Sequence, residues 1–119
     1  YGKEAREKYG DEVIDRSNAK LMKMTEEEYK RMQQLSEQLN KTLKAAVEQG
    51  DPSGELAQKA AAMHREWLCF FWDSYSKEAH MGLAQMYMDD HRFKKYYDDI
   101  VPGGAEFLRD AIKIYCERQ

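Results

Sequence analysis

The stretch that decides the fold is TEEEYKRMQQLSEQLNKTLKAAVEQG, residues 25–50. Thr25 and Glu28 have the spacing of a capping box, in which the threonine hydroxyl accepts a hydrogen bond from an early backbone N–H and the glutamate reaches back. After this start, apolar residues recur at three- and four-residue steps: Tyr29, Met32, Leu35, Leu39, Leu43, Ala46 and Val47. The spacing predicts a long amphipathic helix that ends near Gly50.

Further helices are predicted around the two glycine- and proline-containing breaks, residues 50–54 and 101–104. Asp51 can cap the helix after the first break, with Pro52 in its first turn. The buried stripe of that helix is predicted to comprise Leu56, Ala60, Met63, Trp67, Phe70 and Phe71. The later helices are predicted over about residues 77–88, 91–99 and 103–117. Because valine and isoleucine are scarce and no stretch alternates apolar and polar residues, the predicted fold class is all-α.

The first 24 residues differ from the rest of the chain. They contain few large apolar residues among many charges: Val13, Ile14, Leu21, Met22 and Met24. Such a segment gains little free energy from burial, so we expect short or partly disordered helices there unless something binds. The chain is therefore predicted to have a flexible N-terminal segment, residues 1–24, and a helical domain, residues 25–119.

The 119-residue chain has the length of one domain and a net charge of −3, from 19 basic and 22 acidic residues. That balance argues against direct binding to DNA or to an anionic membrane, since both require a positive surface. No apolar run reaches the roughly 18 residues of a membrane span, and no secretory signal is visible. Two cysteines suit a reducing compartment, so we expect the cytoplasm. The chain begins at Tyr1 without an initiator methionine, and we expect it to be a piece of a longer protein.

An aromatic cluster lies in residues 63–75, MHREWLCFFWDSY. If the helix continues through it, His64, Trp67, Phe71 and Tyr75 form one line at three- and four-residue steps. Such a line is either part of a packed core or the wall of a ligand pocket, and the composition does not choose between them. Buried tryptophan, tyrosine and histidine side chains each present a polar group that needs a partner. Seven methionines add an adaptable apolar surface, which suits a site for varied ligands.

Signals for catalysis and metal binding are weak. The three histidines, His64, His80 and His91, include no pair at the four-residue spacing that places two metal ligands on one helix face. Cys69 is predicted to be a small buried hydrophobic residue, and Cys116 is predicted to lie at the surface in the last helical turn. We therefore predict no catalytic residue, no metal site and no cofactor.

Several short motifs follow one another in a definite order along the chain. They are Tyr9-Gly10-Asp11, Met24-Thr25-Glu26-Glu27-Glu28, His64-Arg65, Phe71-Trp72-Asp73, Glu78, His80-Met81-Gly82-Leu83-Ala84, Asp90-His91-Arg92-Phe93, Tyr96-Tyr97-Asp98, Pro102-Gly103 and Phe107-Leu108-Arg109-Asp110-Ala111-Ile112. In this order and spacing, they resemble the TipAS antibiotic-recognition domain. That domain is the C-terminal effector-binding part of thiostrepton-induced and related multidrug-responsive MerR-family transcription activators.

The resemblance implies a globin-like helical arrangement without haem, and a deep cleft for a macrocyclic or multi-ring antibiotic. It implies N-terminal helices that are loose in the empty protein and close over the bound drug. It also implies a preceding winged-helix domain, through which alone the protein would bind DNA, and a coiled coil that makes the full-length protein a homodimer. In the thiostrepton-responsive member, a cysteine of the aromatic helix attaches covalently to the drug. Alignment on Glu78 and His80 places Tyr75 at that position, so we expect reversible binding.

The resulting hypothesis is an effector-binding module in which an amphiphilic drug enters an aromatic cleft and residues 1–24 fold over it as a lid. The cleft is predicted to be lined by His64, Trp67, Phe71, Tyr75, His80, Tyr87 and Tyr96. A stand-alone drug-sequestering resistance protein built on the same domain remains an alternative. A haem- or pigment-binding globin is another, with His64 or His80 as the iron ligand. An enzyme is not expected, because no nucleophile is paired with a base.

Overall fold

A computed structural model describes residues 3–119 of the chain, with side chains from Lys8 onward. Within that part the chain forms six helices and no strand: α1 (Lys3–Lys23), α2 (Glu26–Gln49), α3 (Glu55–Leu68), α4 (Lys77–Asp89), α5 (His91–Ile100) and α6 (Gly104–Glu117). The all-α prediction is confirmed. No helix between residues 3 and 119 combines the length and the apolar character that crossing a bilayer requires.

The predicted ends of α2 are confirmed in atomic detail. The Glu28 backbone N–H donates to Thr25 Oγ1 at 3.1 Å, so Thr25 caps the helix. At the other end, Gly50 adopts a left-handed conformation with φ 79°, which favours glycine. A second glycine of the same conformation, Gly103, precedes α6. Both ends of α2 are thus determined by local sequence.

The beginning of α3 differs from the prediction, because Asp51 does not cap this helix. Its carboxylate instead accepts hydrogen bonds from the backbone N–H and the hydroxyl of Ser53, at 3.0 and 2.7 Å. Asp51 therefore closes a turn with Pro52, and α3 begins only after Gly54. The aspartate side chain makes the predicted kind of bond, but it lies three residues before Gly54, the residue after which α3 begins.

The end of α3 also differs, and this changes the geometry of the aromatic cluster. The helix ends at Leu68, and the Phe71 N–H donates to the Leu68 carbonyl at 2.8 Å in a tight turn. The predicted single line from His64 to Tyr75 on one helix is wrong. Three consecutive large rings point in successive directions, and a helix would expose one of them, whereas the turn buries Phe71 to 8% exposure. Helix α4 then begins after Ser76, which is extended and caps the helix by accepting from the Ala79 backbone N–H at 3.1 Å.

The hydrophobic core lies between α3, α4 and α6, with one side of α2 packed against it. Its fully buried side chains include Leu43, Leu83, Leu108 and Ile112. Helices α5 and α6 approach closely, since a Cβ added at Gly104 would collide with the carbonyl oxygen of Tyr97. This core takes side chains from α2, α3, α4, α5 and α6 and leaves α1 at the edge.

The two cysteines lie opposite to the predictions. Cys69 is exposed and Cys116 is buried. Cys69 follows the last residue of α3, so it leaves the buried stripe of that helix. Cys116 falls within α6, which stays packed against the core up to its last turn.

The N-terminal segment is one continuous helix, Lys3–Lys23, where the sequence predicted short helices. Its packing is nonetheless thin. It contacts mainly α4, and Val13 is only partly buried against the core. Other residues of α1 border open cavities.

Candidate functional site

Three adjoining cavities lie along α1. The first, of about 430 Å³, lies between α1 and the turn of residues 71–74, and we name it the basic cavity. The second, of about 270 Å³, lies between α1, α2 and α5 and is named the aromatic cavity. A middle cavity of about 340 Å³ shares Ser17 and Phe71 with the first and Ser36 and Trp67 with the second. The three therefore adjoin along α1, and together they are here called the α1 groove.

The aromatic cavity is walled by rings from three helices. Its aromatic lining consists of Trp67, Tyr87, Phe93, Tyr96 and Tyr97, and Ile14 of α1 covers it. The Tyr87 ring lies 4.9 Å from that of Tyr97 and 5.2 Å from that of Phe93, measured between centroids. The rings pack against each other as well as facing the cavity. A flat, multi-ring ligand would find stacking surfaces here.

The basic cavity has a different chemical character. Arg16, Lys20 and Lys23 of α1 line it, and Asp73 is the acidic residue in its lining. Lys20 Nζ donates to Asp73 Oδ1 at 2.6 Å, and this ion pair joins α1 to the turn after α3. The hydrogen bond from Lys20 lowers the pKa of the Asp73 carboxyl group, and the charge of Lys23 adds to the effect.

The other end of α1 is held by a group of residues that we name the α1 anchor: Gly10, Asp11, Asp90 and Arg92. Asp90 is fully buried, caps α5, and accepts two hydrogen bonds from the Arg92 guanidinium, at 2.6 and 3.0 Å. The same guanidinium donates to Asp11 of α1 at 2.7 Å. A Cβ added at Gly10 would collide with the Asp90 carboxylate, so the helix can approach this closely only at a glycine.

A chain of hydrogen bonds runs through the core behind the groove. Tyr75 Oη lies 2.7 Å from His80 Nδ1, His80 Nε2 lies 2.9 Å from His64 Nδ1, and His64 Nε2 lies 3.0 Å from Tyr87 Oη. Both histidines are fully buried. We call these four residues the His–Tyr chain. It links Tyr87 in the wall of the aromatic cavity to Tyr75 on the far side of the core.

Burial keeps the His–Tyr chain neutral. It lowers the pKa of His80 to about 4 and that of His64 well below 6.5, where the adjacent His80 adds to the effect. Burial also raises the pKa of Tyr75 to about 12 and that of Tyr87 well above 10. Among the described residues, no buried side-chain nitrogen or oxygen lacks a hydrogen-bond partner. The chain is therefore a satisfied polar network inside an apolar core.

The structure divides the predicted cleft residues into two groups. Trp67, Tyr87 and Tyr96 line the aromatic cavity, and Phe71 lines the basic and middle cavities. His64, Tyr75 and His80 line none of these three cavities and belong to the His–Tyr chain. In the described part of the chain, no three histidine, cysteine, aspartate or glutamate side chains are placed to hold a metal ion.

The comparison with protein families gives a clear result. The family model of the TipAS antibiotic-recognition domain matches residues 1–115. The chain belongs to this family.

Two kinds of activator are similar to this chain. It is 32% identical over 114 residues to the HTH-type transcriptional activator TipA of Streptomyces coelicolor and to that of Streptomyces lividans. Each alignment covers 94% of this chain and 45% of the relative. It is 25% identical over 119 residues to the HTH-type transcriptional activator mta of Bacillus subtilis, covering 100% of this chain and 46% of that protein. The chain thus spans about half the length of the curated relatives it matches.

A solved structure extends this result to the fold. TipAS of Streptomyces lividans in complex with nosiheptide matches with a TM-score of 0.75 and 31% identity, over 97% of this chain and 82% of that chain. The match confirms the predicted globin-like helical fold. The order of motifs in the sequence was therefore a correct indication of the family.

Sequence reasoning missed most of the groove residues contributed by α1 and α5. Phe93 and Tyr97 line the aromatic cavity, and Arg16 and Lys20 line the basic cavity. A usable signal existed, since Arg16, Lys20 and Lys23 recur at four- and three-residue steps and must share one face of a helix. That spacing could have indicated a basic face on α1.

Proposed function

We propose that this chain is the effector-binding domain of a MerR-family transcription activator, which binds an amphiphilic or macrocyclic antibiotic reversibly in the α1 groove. The observation that supports it most directly is the groove itself. Three adjoining cavities, lined with rings at one end and charged groups at the other, offer a concave and mostly apolar site for a large ligand. The similar TipAS structure is a complex with nosiheptide, from a thiopeptide antibiotic multidrug resistance system.

In this proposal residues 1–24 are the lid. Helix α1 contributes to the walls of all three cavities, through Val13, Ile14, Ser17 and Leu21 among others. Its few contacts with the core do little to offset the free energy of ordering it, about 1–2 kcal/mol per residue. A ligand that fills the groove supplies the missing contacts, so binding shifts α1 towards its ordered, closed position.

The closing of α1 would be the regulatory signal in the full-length protein. There, we propose, a winged-helix domain on the N-terminal side binds DNA and a coiled coil forms the homodimer, in the cytoplasm. Helix α1 is the described element nearest to that side, so a change in its position is the one most directly passed on. The names of the relatives, HTH-type transcriptional activators, favour this regulator over a stand-alone sequestering protein.

Reversible binding is supported by the side chains of the groove. Tyr75, at the position of the drug-linked cysteine in the thiostrepton-responsive member, is engaged by His80 and lines none of the three cavities. Neither Cys69 nor Cys116 lines them either. No thiol is therefore placed to attack a ligand in the groove, and binding rests on stacking and polar contacts. We propose no catalytic activity for this chain.

The haem-binding alternative is disfavoured by the His–Tyr chain. All four ring nitrogens of His64 and His80 lie within hydrogen-bond distance of each other or of a tyrosine hydroxyl. Coordination of iron would require one of these buried contacts to be broken and left uncompensated. Neither histidine is available as an axial ligand.

The test is isothermal titration with nosiheptide and a panel of other macrocyclic antibiotics. Trp67 lines two of the three cavities and is only half-buried, so Trp67→Ala is expected to weaken binding by about tenfold or more. Met22→Ala, which removes an exposed apolar side chain that lines none of the three cavities, is the control and leaves the affinity unchanged. Absence of binding to the whole panel, or a large loss of thermal stability in Trp67→Ala with unchanged affinity, would contradict the proposal.

A further inference from the structure

The charges of the α1 groove are unevenly distributed. The chain as a whole has a net charge of −3, yet the basic cavity contains three cationic side chains and one carboxylate, an excess of two positive charges. The cations, Arg16, Lys20 and Lys23, come from one face of α1. The acidic residues Glu12 and Asp15 of the same helix line none of the three cavities. Helix α1 thus presents its basic side to the groove.

The aromatic cavity has no such excess. Its cation, Arg92, is held by the carboxylates of both Asp90 and Asp11 in the α1 anchor. Its charge is therefore neutralised by the protein itself. The groove has an apolar, ring-lined end and a positive end, with the middle cavity, whose one charged lining residue is Glu37, between them.

The cations of the positive end act on the carboxylate beside them. The hydrogen bond from Lys20 lowers the pKa of the Asp73 carboxyl group, and the charge of Lys23 adds to this effect. Lys20 is occupied by Asp73 at 2.6 Å, whereas no described ion pair involves Arg16 or Lys23.

We infer that the ligand is an aromatic amphiphile with an anionic group, such as a carboxylate, and that Arg16, Lys20 and Lys23 receive that group while the rings stack in the aromatic cavity. This inference rests on the proposed function, since it concerns the same groove. It specifies the chemical class of the ligand beyond its size. An electrically neutral ring compound would use only one end of the site.

Two fluorescent dyes with the same ring system test the inference directly. Anilinonaphthalene sulfonate carries one sulfonate, and phenylnaphthylamine is the same skeleton without it. Both change their emission in an apolar site, so fluorescence titration gives a dissociation constant for each. The inference predicts that the wild type binds the sulfonate dye more tightly than the neutral dye, and that added salt reduces the difference.

Variants that are expected to change the dye affinity in opposite directions make the test specific. The double variant Arg16→Gln/Lys23→Gln removes two groove cations and leaves the Lys20–Asp73 pair intact, so affinity for the sulfonate dye should fall about fivefold. Asp73→Asn removes the competing carboxylate, and affinity for the same dye should rise about twofold to threefold. The neutral dye should be unaffected by either change, which also shows that the variants are folded.

The control is Lys44→Gln/Lys59→Gln, which removes the same total charge from exposed positions on α2 and α3 outside the groove. It should leave the affinities for both dyes unchanged. The inference is overturned if the groove variants change the affinities for both dyes equally or change neither. It is also overturned if the control variant changes the affinity for the sulfonate dye as much as the groove variant does. If the wild type binds both dyes with equal affinity, the inference is wrong and the proposed function still stands. Failure of both dyes to bind the wild type contradicts both.

Discussion

Helix α1 and the core of α3, α4 and α6 differ in how completely their side chains are buried and hydrogen-bonded. In the core, leucines are fully buried and even the two internal histidines have all their ring nitrogens hydrogen-bonded. Helix α1 instead covers three cavities and is attached mainly through the α1 anchor and the Lys20–Asp73 pair. We therefore expect the core to stay folded and α1 to respond to what fills the space beneath it.

The largest expected effect is the loss of a core leucine. Leu108 is fully buried on α6, and Leu108→Ala leaves a cavity that the packed helices cannot close, which should cost about 3 kcal/mol in the free energy of unfolding. The matched change on the other side of the comparison is Leu21→Ala on α1. Leu21 already borders the middle cavity and is half-buried, so the cost should be less than about 1 kcal/mol. Urea unfolding measures both, and equal losses would contradict the difference between the two regions.

The second effect is the response of the core to acid. Histidines in the unfolded chain take up protons near pH 6.5, whereas burial lowers the pKa of His80 to about 4 and that of His64 well below 6.5. The unfolded state therefore binds more protons, and stability falls as the pH falls. Between pH 6.5 and about 5.5, the two histidines together should cost about 2 kcal/mol. Equal unfolding free energies at the two pH values would show that the buried histidines are not held neutral.

A smaller and local effect is expected at the α1 anchor. Gly10→Ala places a Cβ against the buried Asp90 carboxylate, so α1 should lift there while the core remains intact. We expect the amides of α1 to exchange with solvent about tenfold faster, and those of α6 to be unchanged. Hydrogen exchange followed by mass spectrometry separates the two helices.

The smallest effect serves as the control for that experiment. Gly82 lies exposed on α4 with free space around its Cα, so Gly82→Ala should stabilise the protein by about 0.5–1 kcal/mol. The same substitution therefore acts with opposite signs at two helical glycines. If both variants are stabilised alike and α1 exchange is unaltered, the close approach of Gly10 to Asp90 does not hold α1 in place.

The parts of the fold that follow from local sequence could be predicted. The ends of α2 depend on Thr25, whose hydroxyl accepts from the Glu28 backbone N–H, and on Gly50, whose own N–H donates to the Ala46 carbonyl. The end of α3 depends on tertiary burial of Phe71, which no local pattern shows. The exposure of Cys69 follows from that same shift of a helix end, whereas Cys116 is buried because α6 packs against the core up to its last turn.

The candidate site could be predicted only in part, for a similar reason. The single aromatic line suggested Trp67 and Phe71, which do border the groove. The remaining walls come mainly from α1, α2 and α5, which are far from the aromatic cluster in sequence, and the α1 anchor joins α1 to α5. His64 and His80 were predicted to line the cleft, but the partners of their rings are each other and two tyrosines.

The most direct test of the central claim is hydrogen exchange of the wild type with and without nosiheptide. The account predicts that, in the free protein, α1 amides exchange much faster than those of α6, and that nosiheptide slows exchange in α1 while α6 changes little. Exchange in α1 that is as slow as in α6 without a ligand, or that stays fast when nosiheptide is bound, would contradict it.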